Sequence, residues 1–280
     1  MGRVRSGTPA PTRAGLPAPP PPAMRVRAVL SAEWIKLRSL RSVPVTLVLA
    51  AVFCIGLADL VCSNYAANWS AFSAAKRAAF DPLDVNFGFV QIGAVFFGAL
   101  GALVVTNEYG NGLIRATFAA TPQRVLVLAA KAALLGLVAL SGSAAICGAA
   151  FLTGQGELSG RVPSVGPGAP GVLAHVVGAV LYLTAAGLIG LLIGVLARGS
   201  ALAVSGVFGV LLVLPTMVDS LPQGAVWRHT VPYLPSNLGA ALWHTHSGGL
   251  VAPTTAAILL PVYLVVLGAA AVARLRGTDA

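Results

Sequence analysis

The chain has 280 residues, of which 57% are hydrophobic and only 9% charged, and its mean hydropathy is +0.85. A soluble domain carries roughly a quarter of its residues as charges, so this composition excludes one and makes lipid the solvent for most of the chain. The formal charge of +10 is scattered in short stretches between apolar runs, which argues against a nucleic-acid surface and for membrane topology signals.

Residues 1–24 are a tail rich in Pro, Ala, Gly and Arg, with Pro19, Pro20, Pro21 and Pro22 in succession. They lack any apolar period that could fix a fold and are expected to be disordered. No short apolar core follows the basic start, so a signal peptide is not indicated. Met24 is expected to be a usable translation start, and deleting the residues before it should leave membrane insertion intact.

In residues 25–42, RVRAVLSAEWIKLRSLRS, the apolar side chains Val26, Leu30, Trp34 and Leu37 recur at helical spacing. This predicts an amphipathic helix lying in the membrane interface, with Arg27, Lys36, Arg38 and Arg41 reaching anionic headgroups. Ser42 and Pro44 have the chemistry of a cap and first turn for the span that follows.

Six continuous apolar runs occupy the rest, near 43–62, 87–106, 130–152, 171–197, 201–218 and 251–273. Each has about the 18 residues or more that a helix needs to cross the hydrocarbon, and unbroken apolarity indicates helices rather than barrel strands. The expected fold is an all-α integral membrane protein: an interfacial helix, six transmembrane helices over 43–280, and after the second span a polar loop open to two readings, a short helix over 112–120 or an ordinary solvated turn, the turn being favoured by pattern alone. Segments 63–86 and 219–250 are read as long loops with aromatics, and 154–171 as an irregular Gly- and Pro-rich loop. Arg198-Gly199-Ser200 is a minimal turn, so the fourth and fifth spans should form a tight hairpin.

With both termini placed in the cytoplasm, eleven Lys and Arg near span ends fall inside, against Lys76, Arg77, Arg161 and Arg228 outside. The positive-inside rule therefore favours a multi-pass protein of the cell membrane with cytoplasmic ends. The spans themselves hold almost no ionisable groups. Asp59, His175 and Lys131 all sit close to span ends, which fits a path for apolar or amphipathic cargo better than an ion-coupled carrier. Gly187, Gly190 and Gly194 form a stripe of small residues along the fourth span, expected to serve packing within the chain.

The order AEWIKLRSLRS, then VVTNEYGNGLIRATFAATPQRVLVLAAK, then YLPSNLGAALW resembles the permease subunit of bacterial type 2 ATP-binding-cassette exporters, over residues from about 25 to the C-terminus. The resemblance implies that Trp34, Lys36, Arg38 and Arg41 belong to a helix leaning on a nucleotide-binding subunit. It implies further that residues 111–120, with Ile114, Arg115 and Phe118, form a coupling helix seated in that subunit, and that Glu108 is the family's acidic residue at the inner end of the second span. Residues 222–247, with Trp227, Tyr233 and Trp243, would be short helices dipping into the outer leaflet. The implied partners are an ATPase subunit and a second permease copy or homologue. The function so implied is outward transport of a hydrophobic or amphipathic compound driven by a separate ATPase. The alternative is a polytopic channel or scaffold not coupled to ATP.

No GxxxxGK[ST] phosphate loop is present, so ATP would have to be hydrolysed by another chain, and no HExxH or GxSxG occurs. His244 and His246 lack a nearby third ligand, and the three cysteines have no CxxC spacing. No catalytic residue, cofactor or metal is therefore expected.

Overall fold

The computed structural model describes residues 22–110, 124–219, 230–244 and 251–277. Among them the regular elements are helices: α1 (Pro22–Ser39), α2 (Ser42–Asn68), α3 (Ala74–Ala78), α4 (Pro82–Asn86), α5 (Val90–Gly110), α6 (Arg124–Leu158), α7 (Val172–Ala197), α8 (Ser200–Phe208), α9 (Leu214–Asp219), α10 (Pro235–Trp243) and α11 (Pro253–Arg276). A π-helical stretch, Gly209–Val213, joins α8 to α9. Six helices are long and apolar enough to cross a membrane, Ser42–Ala71, Pro82–Tyr109, Arg124–Leu158, Val172–Ala197, Ser200–Met217 and Pro253–Arg276. The protein is thus a multi-pass, all-α membrane protein. An even number of crossings brings α1 and the end of α11 to the same side, called here the termini face.

The second and fourth spans are the centre of the bundle, with 61% and 67% of their most apolar windows buried against 33% or less elsewhere. Glycine on both helices permits this. A Cβ on Gly190 would collide with the Gly98 carbonyl, one on Gly101 with the Gly187 carbonyl, and one on Gly194 would come within 2.5 Å of Val105. The stripe therefore packs α7 against α5 within one chain, as expected. Gly190→Leu should cost about 3 kcal/mol, because a backbone carbonyl cannot yield as a side chain can. Thermal denaturation in detergent would register the loss, and an unchanged midpoint would mean the helices do not approach this closely.

Several boundaries differ from those read in the sequence. The first span continues past residue 62 because Cys62 and Ala66 bury against Leu158 and Val162 at the far end of α6. The third span is 35 residues long, about 52 Å at 1.5 Å per residue, well beyond the hydrocarbon thickness. The irregular loop expected from Gly154 begins only after Leu158. Gly154 is helical and lies against Asn86, whose amide donates to the Phe151 carbonyl at 3.2 Å. Ser42 is not the cap of the second helix. Arg41 holds that position in helical geometry with no side-chain cap, and the Ser42 hydroxyl instead accepts from the Asn107 amide at 3.3 Å.

At the face opposite the termini, α10 packs on α7 and α11. Gly178 lies under Leu242, and Gly239 lies against the Tyr182 ring so closely that a Cβ there would collide with it. Tyr182 is three turns into α7, about 15 Å along its axis. The nine residues of α10 are too few to cross a bilayer. The Tyr263 hydroxyl donates to the Tyr233 carbonyl at 2.9 Å and fixes the start of this segment on α11.

Candidate functional site: a buried charge cluster at the termini face

Glu33, Glu108 and Lys131 are only 3%, 5% and 6% exposed, and burying charges in an apolar bundle is costly unless they are paired. They are paired with one another. The Lys131 ammonium lies 2.6 Å from Glu33 Oε2 and 2.7 Å from Glu108 Oε1. The Lys36 ammonium, one turn beyond Glu33 on α1, lies 2.7 Å from Glu33 Oε1 and 3.7 Å from Glu108 Oε1. Two carboxylates and two ammonium groups sum to zero, and a lysine with three donors can bridge acids on two different helices.

Each side chain arrives by a short route. Glu33 is on the packed stripe of α1, with the buried Leu37 one turn on and the half-buried Leu40 beyond it. Glu108 is close to the end of α5, and Lys131 is two turns into α6, about 10 Å from its start. Leu37, Val43, Leu100, Val104 and Leu135 form an apolar cluster around this end of the bundle. That surrounding lowers the local dielectric and strengthens the pairing. Two further ties hold the same face. Asn107 donates to Ser42, and the Arg124 guanidinium donates to the Leu275 carbonyl at 2.6 Å, joining the start of α6 to the end of α11.

Burial alone would push the Glu33 carboxyl up, but the charges and hydrogen bonds of Lys131 and Lys36 outweigh it and hold the group below its ordinary range. A carboxylate depressed in the folded state contributes stability above its unfolded value, about 4.3, and loses it as pH falls through the lower folded value. Glu33→Gln should therefore destabilise at pH 7, and the difference from the unmodified protein should shrink as pH falls below about 4. Melting midpoints of both forms between pH 3 and 8 test this. A gap that stays constant would remove Glu33 from the pH dependence.

The site departs from the sequence reading in three ways. Lys36, expected to reach headgroups, turns inward to the two glutamates, whereas Arg38 and Arg41 are exposed. Trp34 is 43% exposed and Val26 40%, whereas Leu37 of the same predicted stripe is buried, so the packed stripe coincides with the predicted one only at Leu37. The packed stripe has Glu33 at its centre, because an apolar count cannot register a charged residue whose partners lie on other helices. Glu33 itself was missed as a functional candidate. The available signals were an acid three residues before a lysine in a basic helix, and a lysine inside an apolar run.

Of the remaining candidates, Ile114, Arg115, Phe118 and Trp227 lie outside the described residues. Trp243 is buried and its ring stacks on His244 at 3.9 Å. Asp84 Oδ1 on α4 is 3.3 Å from His244 Nδ1 and 3.8 Å from His175 Nε2, a grouping sequence separation concealed. Among the described residues no group of three or more His, Cys, Asp or Glu is arranged to hold a metal ion. Compared with known protein families and with curated proteins, the chain matches none of them.

Proposed function

We propose that the protein is the permease subunit of an ATP-driven exporter of the type 2 class, its termini face in the cytoplasm, moving an apolar or amphipathic compound outward. The ATPase would be a separate chain, and a second permease copy or homologue would complete the path. The observation that carries this reading is the buried charge cluster. It ties the N-terminal helix to the second and third spans on both sides of residues 111–123, the stretch whose sequence resembles the coupling segment of such permeases. A force applied to that stretch or to α1 would be passed to two bundle helices together, since paired charges in an apolar setting resist separation.

The weight of positive charge on the termini face supports its cytoplasmic placement. The predominance of apolar side chains in the spans supports cargo that needs no titratable relay. The reading is tested by purifying the tagged protein from its native membrane and assaying the preparation for a copurifying ATPase whose hydrolysis depends on the permease. Absence of any such subunit from a folded preparation would favour an uncoupled channel or scaffold.

A further inference from the structure

Along the fifth span Ala203, Val207, Leu211 and Pro215 are buried, a spacing of four that runs about 40° past a full turn at each step of an α-helix. The stretch Gly209–Val213 is π-helical, and its wider turn winds this stripe back toward the bundle. The sequence accounts for the break. In an α-helix the carbonyl of Leu211 would accept from the N–H of residue 215, and residue 215 is a proline with no N–H to give. An orphaned carbonyl inside hydrocarbon is costly, so a proline is tolerated in a span where a neighbour supplies the missing donor. Here the neighbour is the second span: Gln91 Nε2 on α5 donates to the Leu211 carbonyl at 2.6 Å. The Thr216 hydroxyl covers the next two carbonyls, lying 3.0 Å from that of Leu212 and 2.9 Å from that of Val213.

We propose that residues 209–215 are a hinge in the fifth span and that Gln91 is its latch, fixing the angle of α9 as long as the second span presents its amide to the Leu211 carbonyl. The two sides of the break are held unequally. On the α8 side, Val207 and Leu211 lie so close to Gly98 of α5 that a Cβ there would come within 2.5 Å of Val207 and 3.2 Å of Leu211. Beyond the break Leu214, Thr216 and Met217 are exposed, with Pro215 buried between them. Only 22% of the most apolar window of this span is buried, so packing alone does little to set its line. A helix interrupted by proline and a π-turn has lost the ladder that resists bending there, and the bond from Gln91 takes its place. Gln91 and Glu108 belong to the same helix, about 26 Å apart along its axis. A displacement of α5 at the charge cluster therefore reaches the latch, and loss of the bond frees α9 to swing. The hinge rests on contacts within the chain and holds for a channel or scaffold as for an ATP-driven permease.

Double electron-electron resonance on the purified full chain tests the proposal, with spin labels at Met217→Cys on α9 and Leu152→Cys on α6, both exposed sites. The three native cysteines are buried, and the unmodified chain labelled in parallel gives their background. With Gln91 and Pro215 intact the pair should give one narrow distance peak. Gln91→Met keeps the length of the side chain and removes the donor, and should raise the population outside that peak about fivefold, the worth of one buried hydrogen bond. Adding Pro215→Ala returns an N–H to position 215, where it can bond the Leu211 carbonyl, and should restore the single peak although Gln91 is still absent. A packing role for Gln91 would not produce that rescue. Gln91→Leu repeats the test should Gln91→Met fail to fold. A distribution unchanged by Gln91→Met, or one that stays broad after Pro215→Ala, would overturn the latch.

Discussion

Lys131→Met is expected to be the most damaging single change at the termini face, lowering the melting midpoint by about 10 °C, given a cost near 3 to 5 kcal/mol for stripping a buried pair of its partner and 2 to 4 °C per kcal/mol at this chain length. The Lys131 ammonium donates a hydrogen bond to Glu108 at 2.7 Å and forms an ion pair with Glu33 at 2.6 Å. Without it, two buried carboxylates would share Lys36 alone, and Lys36 is 3.7 Å from Glu108. Charge parity sharpens the expectation into a change of sign. In the unmodified protein Glu33→Gln leaves one carboxylate facing two ammonium groups and destabilises. In the Lys131→Met background the same substitution turns two carboxylates and one ammonium into one of each, so it should recover part of the lost stability. A double-mutant cycle read by thermal denaturation isolates the coupling. Additive losses would mean that the four groups do not act as one unit.

The spans were legible because their signal is local: a long apolar run needs no partner to declare itself. Ends were less so, since what extends α2 to Asn68 and α6 to Leu158 is the mutual burial of Cys62, Ala66, Leu158 and Val162, a contact between segments far apart in the chain. The glycine stripe on α7 was read correctly for the same reason as the spans, its period being internal to one helix. The cluster was half legible. Glu108 and Lys36 stood out as charges near a membrane boundary, but their partnership depends on how α1 lies across α5 and α6, which no periodicity encodes. The Asp84, His175 and His244 grouping, assembled from α4, α7 and the end of α10, was concealed by the same kind of sequence separation.

Replacing Ile114 and Phe118 together by Asp should leave the protein inserted and folded but abolish ATPase copurification or uncouple hydrolysis from transport. In the sequence both residues fall between the apolar runs that end near 106 and resume near 130, so insertion has no reason to change. The two are four positions apart, which on a helix places them on one face as an apolar anchor, with Arg115 adjacent. An apolar anchor at the centre of a contact contributes most of its free energy, and two carboxylates desolvated there would be strongly opposed. The described chain on either side gives such an anchor something to move. Glu108 lies just before the segment and Lys131 just after it, and the bond between them, shared with Glu33, joins α5, α6 and α1. The measurement is transport and hydrolysis in reconstituted vesicles, together with copurification of the ATPase, for the double variant and for Arg161→Gln as an exposed control at the opposite face. Transport by the double variant at the unmodified rate would remove the segment from the mechanism while leaving the charge cluster as a structural tie.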